Sequence, residues 1–531
     1  MGSLVSKAKL FLYATIHLSK TFDVLKKRIE TSPGVPVDHP TLPLWTVPRA
    51  QIPSDDTGGF PEHVDVVIIG SGITGTSFAY NALAREAGLN VAMLEARDVC
   101  SGATGRNGGH INPPLYQDYT ELKEKYGEHA AKLLIAFRMS HITEMQRIAS
   151  QENVQKESQV RETEHLDVYT CSTAFAEAKQ NLVKWRAEMP LESSTFVVHG
   201  REEAIEKYHL SDNVVGCISS SGGAMHPYRL VTSLLSILLD RYADNFRIFA
   251  HTPCTAVTTS ASSPSLYTVH TPRGTLRTKH VIHATNGWAA HLLPPLLTKV
   301  APARGGMSAQ RPGSALHHLS GGRSFVFYRA GGGYDYLTQL PVGEHELMFG
   351  GGWAMACDGN GLPDIGIADD SVISHVGQSY LAGALPQYFG MRNWGMDASP
   401  SPAPGEDGEE GDEEGRWGLG RTKAQWSGIL GISADMLPWV GRLPEKVSGR
   451  AQPRPKPARD EKSVPTAAPG EWIAAGYSGE GMVHAWMSGK ALAYMVLDRD
   501  DEVREWFPDI LRVTEKRWRQ AKIEELFARF M

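Results

Sequence analysis

The sequence predicts an α/β protein, α+β overall, in which a parallel βαβ layer is interleaved with a second layer built on an antiparallel sheet. Three observations predict it. An apolar strand runs into a glycine-rich turn and an alanine-rich helix near residue 70, and a similar strand, turn and helix return near residue 476. Between them lie short runs of alternating apolar and polar residues, the pattern of half-buried strands.

The chain has 531 residues, more than one hydrophobic core usually serves. With 41% hydrophobic and 21% charged residues it reads as an ordinary globular protein. A net charge of −6 gives no general attraction to phosphate backbones, so no nucleic acid partner is expected. The five cysteines (Cys100, Cys171, Cys217, Cys254 and Cys357) form no CxxC pair and have no histidine at ligand spacing. Neither a metal site nor a disulfide framework is indicated, and a reducing, cytoplasmic setting fits.

Residues 4–30 carry apolar positions at helical spacing among Lys7, Lys9, Lys20, Lys26, Lys27 and Arg28. The apolar run Leu10 to Ile16 falls far short of the ~20 residues of a spanning helix. A helix packed on the protein body is expected there rather than membrane contact, although the pattern could lie on a bilayer surface. Residues 31–62 (SPGVPVDHPTLPLW within them) read as an extended arm with no evident chemistry. From Val64 to Ala96 come the strand VDVVIIG, a glycine-rich turn, a helix and the strand LNVAMLEA, one βαβ unit. Residues 119–150 place Leu122, Tyr126, Ala130, Leu133, Phe137, Ile142, Met145 and Ile148 on one side, predicting a single long amphipathic helix. The runs 164–170 and 325–352 predict the antiparallel layer. Residues 398–416, with seven acidic residues, and 445–470, rich in Pro, Ala, Lys and Arg, read as insertions too polar to order themselves. Residues 426–444 and 471–497 return to strand, turn and helix.

The resulting division is 1–62 for the helix and arm, 63–118, 216–300 and 425–500 for a Rossmann-like domain, 119–215 and 301–424 for a substrate domain, and 501–531 for a C-terminal helix.

Gly70-Ser71-Gly72-Ile73-Thr74-Gly75 directly follows the first strand. Gly70 permits the tight turn, Gly72 the approach of a pyrophosphate, and Gly75 close helix packing, while free amides and the helix dipole hold negative charge. The second strand ends in Glu95, twenty residues past Gly75, where a carboxylate can accept from ribose hydroxyls and would repel a 2′-phosphate. Ser101-Gly102-Ala103-Thr104-Gly105-Arg106-Asn107-Gly108-Gly109-His110 is a second small-residue stretch, and Gly476-Tyr477-Ser478-Gly479-Glu480-Gly481-Met482 a third. A longer dinucleotide lying extended over the sheet needs such repeated close approaches, so FAD suits the chain better than NAD.

These residues resemble the FAD-dependent D-amino-acid oxidase-like (DAO) superfamily, and in particular fungal members similar to gamma-glutamylputrescine oxidoreductase and to sarcosine and glycine oxidases. The resemblance runs from about Pro33 to Ala493, through VIIGSGITG, VAMLEARDVCSGATGRNGGHI, GGAMHPYRLV, HTPCTAV, HVIHATNGW, PARGGM, WSGILGISADMLPWVG and AAGYSGEGM. It implies that Gly70, Gly72, Ile73, Thr74 and Gly75 hold the pyrophosphate and Glu95, Ala96 and Arg97 the adenosine end. Ala103, Thr104, Arg106, Asn107, Gly108, Gly109 and His110 would pass beside the pyrophosphate and the flavin. Cys254 would contact adenine through its main chain; Ala284, Thr285, Asn286 and Trp288 would meet the cofactor; Gly479, Glu480, Gly481 and Met482 would cover the pyrimidine and ribityl side. No cysteine stands in a recognisable attachment context, so a non-covalent flavin is expected. Arg304-Gly305-Gly306 departs from the RGQ frequent in the family, and no lysine for reaction with oxygen can be identified.

The activity implied is transfer of a hydride from the C–N carbon of an amine, amino acid or related metabolite to flavin, with oxygen as acceptor and hydrogen peroxide as product. A flavoenzyme acting on a biosynthetic intermediate and a non-catalytic FAD protein are the alternatives. His110 is the first candidate base, with a hydrogen-bonded structural histidine as the alternative. Tyr334, Tyr336, Gln339 and Trp353 could form an aromatic, polar substrate wall or plain core, with Tyr336 and Trp353 taken as catalytic-site residues beside His110. Arg329 or Arg323 could pair with a substrate carboxylate, and His226 is expected to order a turn before a helix.

Overall fold

The computed structural model describes residues 2–54, 59–260, 263–316, 319–329, 333–353, 364–397, 417–454 and 464–524. Two sheets organise them. The first has the order Trp439–Arg442, Gly470–Ala475, Gly274–His283, His63–Ile69, Val91–Leu94, Phe246–Phe249, with the hairpin Ala256–Ser260 and Ser263–Thr271 joined to Gly274–His283. Its four central pairings are parallel, and Trp439–Arg442 closes one edge antiparallel. Val66 to Ile69 are buried without alternation, as expected of a strand covered on both faces. The helices Ile73–Leu83 and Ala485–Val496 lie against each other. A Cβ on Gly489 would come within 2.4 Å of the Thr74 carbonyl oxygen, so glycine is what lets the two backbones meet.

The second sheet runs Thr422–Ser433, Val300–Gln310, Leu347–Gly351, Tyr334–Gln339, Arg323–Tyr328, Arg161–Tyr169, Gly216–Ala224, His110–Ile111, with Val197–Gly200 beside Gly216–Ala224. All its pairings are antiparallel except that of Arg323–Tyr328 with Arg161–Tyr169. The α/β class with a Rossmann-like layer and an antiparallel sheet is therefore the architecture adopted.

Several local expectations are corrected. The single helix expected over 119–150 is two, Tyr116–Tyr126 and Glu128–Gln151, because Gly127 at φ +88° takes a conformation that breaks the ladder between two amphipathic stretches. Residues 216–224 and 425–433, grouped by sequence with the parallel layer, lie in the antiparallel sheet. Among the described residues of 501–524 no single C-terminal helix forms: Asp500–Val503 and Asp509–Leu511 are single turns and Glu515–Gln520 a short helix, with Pro508 lacking an amide donor. Residues 445–454 are ordered rather than part of a disordered insertion: Val447 is buried, and Arg450 Nε donates to the buried Glu471 at 2.9 Å. The acidic stretch 398–416, residues 455–463 and Cys357 lie outside the described residues.

Residues Gly2–Ile29 form one helix, anchored by the buried Leu25 and Ile29, with Leu10, Phe11, Leu12 and Tyr13 exposed. Among the described residues no helix is long and apolar enough to cross a membrane, none of their His, Cys, Asp and Glu clusters could hold a metal, and Cys100, Cys171, Cys217 and Cys254 are free thiols.

Candidate functional site

One cavity of about 880 Å³ runs from the Gly70 turn of the first sheet to the inner face of the second, near the upper end of the range for small-molecule sites. At the first-sheet end the walls are backbone. Gly70 sits at φ +108°, and a Cβ there would lie 2.6 Å from the Ala284 oxygen. A Cβ on Gly72 would meet Thr104 Oγ1 at 3.0 Å, the same oxygen that accepts from the Ile73 amide. Glu95 accepts from the Ser71 amide at 3.1 Å, the Ser71 hydroxyl at 2.6 Å and the Arg97 amide at 3.2 Å.

Arg97 and Arg106 line the cavity, but their charges are engaged elsewhere. Arg97 forks onto the fully buried Asp370 at 2.9 and 3.1 Å. Arg106 lies 3.5 Å from Asp370 and donates to the Ser101 and Ser427 carbonyls, and burial lowers its guanidinium pKa to about 10. Asn107 folds its amide back on Ala103, Thr104 and Gly109, and its carbonyl accepts from the Trp45 indole.

Of the expected cofactor residues, Gly70, Gly72, Ile73, Thr74, Glu95, Ala96, Arg97, Ala103, Thr104, Arg106, Asn107, Gly108, His110, Cys254, Ala284, Thr285, Asn286, Trp288 and Gly479 to Met482 all border this cavity. Gly75 and Gly109 do not. Gly75 is pressed against the chain, where a Cβ would lie 2.1 Å from the Gly70 oxygen, and a Cβ on Gly109, at φ +74°, would lie 2.5 Å from the Met225 oxygen. The cavity suits an extended dinucleotide on three grounds: the glycine cradle leaves room for phosphates, the length joins both sheets, and Thr285 Oγ1 and Trp288 Nε1 are buried without a partner among the described residues. Burial pushes the Cys254 thiol up to about 12, which leaves it a packing group.

Side chains build the second-sheet end. His110 and Tyr336 stand edge to face at 5.1 Å, and Tyr336 also lies where a Gly108 Cβ would be, 2.8 Å from its ring. Both ring nitrogens of His110 are buried with no hydrogen-bond partner among the described residues. Burial, helped by His165, lowers its pKa to about 3, which keeps the ring neutral. Trp353 and Tyr334 border the same space, whereas Gln339 is buried outside it and accepts from the Leu319 amide. Arg323 is held by Glu164 at 2.9 Å and Arg329 lies 3.8 Å from Asp335; neither borders the cavity, so neither is placed for a substrate carboxylate. His226 caps the helix Pro227–Arg241 by accepting from the Arg229 amide.

Sequence reasoning missed Asp118, Asp167 and Gln117 on this wall, and Gly34 to Pro36 of the arm. Arg138 is buried behind the wall, donating to Asp118 Oδ2 at 2.8 Å and lying 3.1 Å from Glu480 Oε2. Burial, the largest influence, and Asp118 raise the Glu480 carboxyl to about 7 against the pull of Arg138. The only advance signal for these groups was the acidic first turn of the helix after His110.

A family model described as FAD dependent oxidoreductase (DAO) matches residues 65–495. Gamma-glutamylputrescine oxidoreductase of Escherichia coli (strain K12) is 39% identical over 70 residues, which is 13% of this chain and 16% of that protein. Among solved structures, glycine oxidase from Geobacillus kaustophilus superposes with a TM-score of 0.59 at 16% identity, covering 86% of this chain and 99% of its own. L-amino acid deaminase from Proteus myxofaciens gives 0.58 at 14%, covering 88% and 96%. Iminodiacetate oxidase from Chelativorans sp. BNC1 gives 0.56 at 16%, covering 83% and 98%. The three solved structures share the fold.

Proposed function

Because the chain belongs to the DAO family of FAD-dependent oxidoreductases, we propose that it oxidises the C–N bond of a small amine or amino acid. The observation that carries this reading is the single cavity joining the glycine-built end to the aromatic wall of Tyr334, Tyr336 and Trp353. Bound FAD supplies a two-electron acceptor for the hydride that leaves the carbon bearing nitrogen. The nitrogen lone pair closes the C=N bond, and water then releases a carbonyl compound together with ammonia, or with an amine where the nitrogen carries a second carbon.

The chain's own residues prepare that step. Gly70 to Thr74, Glu95 and the 103–110 segment hold the dinucleotide without a covalent bond. Tyr336 and His110 confine the reacting carbon, and their burial excludes water. Glu480, with a carboxyl poised near neutrality, takes the ammonium proton in place of His110. Dioxygen as the final acceptor, hydrogen peroxide as product and a cytoplasmic setting complete the reading; the four free cysteines support the last.

The test is purification of the flavin-loaded protein followed by anaerobic mixing with a panel of amines and amino acids and a peroxide-coupled assay in air. Bleaching of the flavin band by at least one compound is expected. A bound flavin that no panel compound reduces sinks the reading.

A further inference from the structure

The second-sheet end of the cavity is one-sided in charge. Asp118, Asp167 and Glu480 border it, and among the described residues the cavity is bordered by no lysine and by no arginine besides Arg97 and Arg106. Both bordering arginines, Arg97 and Arg106, are engaged by Asp370, and Arg106 also by the Ser101 and Ser427 carbonyls. Residues 330–332 and 354–363, which flank the bordering Gly333 and Trp353, contain no lysine or arginine either.

Arg138, a buried cation behind this wall, is spent. It donates to His484 Nε2, the Pro114 carbonyl and Asp118, and pairs with Glu480. It takes one oxygen from each carboxylate, and Asp118 Oδ1 and Glu480 Oε1 carry no hydrogen bond among the described residues. Their side chains are 37% and 25% exposed, so they face open space rather than packed protein. Asp167 is buried in a donor set of Tyr116, Gln117 and His165 that holds its carboxylate facing the same wall. The unpartnered His110 nitrogens stand at this end of the cavity as well.

A substrate carboxylate entering here would meet like charge with no cation to pair it, a cost without compensation. An ammonium group would meet two free carboxylate oxygens and the faces of Tyr334 and Tyr336. Resting on the function proposed above, we infer that the substrate is an aliphatic amine cation bearing no carboxylate on the reacting carbon, received by Asp118 and Glu480 with Asp167 setting the field behind them. The raised Glu480 carboxyl agrees with this, since it ionises where the arriving ammonium stabilises its charge.

Matched pairs test the inference on the holoenzyme. Butan-1-amine and 2-aminopentanoate differ by one carboxylate on the reacting carbon, as do 1,4-diaminobutane and ornithine. The amines are expected to reduce the flavin with kcat/KM at least ~10-fold above their carboxyl-bearing partners, the size of one charge-assisted contact. Equal or better turnover of 2-aminopentanoate and ornithine overturns the inference while leaving C–N oxidation intact; no reduction by any amine or amino acid defeats the function reading itself. Asp118→Asn is expected to raise KM for butan-1-amine ~10-fold, and an unchanged KM counts against the inference. Binding gives an independent readout: tert-butylammonium, which has no hydrogen on the carbon bearing nitrogen and so cannot be oxidised, should perturb the oxidised flavin spectrum at concentrations where 2,2-dimethylpropanoate does not, and the reverse order overturns the proposal.

Discussion

The two ends of the cavity are made of different material. At the Gly70 end the surface is main chain: Gly70, Gly72 and the Ala284 carbonyl define its shape, and the charged side chains there are tied to one another through Asp370. At the Tyr336 end the surface is side chain, contributed by the strands Tyr334–Gln339 and Arg161–Tyr169, the helix Tyr116–Tyr126 and the loop at Glu480. A backbone surface is fixed by where glycine stands and tolerates little change. A side-chain surface can be altered one residue at a time, so substrate choice belongs to that end and cofactor retention to the other.

Substitutions at each end sharpen or break this contrast. The largest effect is expected for Asp370→Ala, which strands Arg97 and Arg106 as buried unpaired charges; a loss of ~3–5 kcal/mol in chemical unfolding and of flavin content is expected. A variant that unfolds like the parent would show that these arginines do not depend on Asp370. Next comes Gly75→Ala, whose new methyl would sit 2.1 Å from the Gly70 oxygen. It should cost ~1–3 kcal/mol or more and lower flavin occupancy, and full occupancy would mean that the turn yields more easily than its geometry implies.

At the other end, Glu480 links stability to pH. Its folded pKa of about 7 lies above the ordinary glutamate value of 4.5. Its contribution is therefore complete below pH 4.5 and is lost as pH rises through 7. From pH 5 to pH 8 this removes roughly 2–3 kcal/mol. Thermal melts of the flavin-free protein should fall over that range more steeply than those of Glu480→Gln; parallel curves would return Glu480 to an ordinary pKa. The smallest effect is expected for Arg323→Met. With Glu164 partly exposed, its pair is worth ~0–1 kcal/mol, and KM for any substrate should not move. A KM change in steady-state assays would restore Arg323 to the site.

The same contrast explains what was legible in the sequence. The turn Gly70 to Gly75 announces itself because a strand, a positive φ and a helix start must follow one another within six residues, a local requirement that only glycine meets cheaply. Glu95 follows at a fixed distance for the same reason. The resemblance carried His110 and Glu480 to the cavity, but not their protonation, which depends on His165, Arg138 and Asp118 arriving from elsewhere in the chain. Arg323 and Arg329 looked available because their partners, Glu164 and Asp335, lie on neighbouring strands whose register no single sequence reveals. The break at Gly127 was hidden by apolar periodicity on both sides. The arm's role was hidden by the lack of any periodicity in extended chain.

That arm bears on how the polypeptide reaches its final form. Gly34 to Pro36 border the cavity, and the Thr41 hydroxyl accepts from the Ser427 amide across 386 residues of chain. A ribosome adding about 5–20 residues per second needs on the order of twenty seconds or more to deliver that partner. Trp45, fully buried in the fold, donates to the Asn107 carbonyl and packs edge-on against His226, partners that are made sooner than Ser427. A segment that borders the cavity is thus made well before the strand on which it docks.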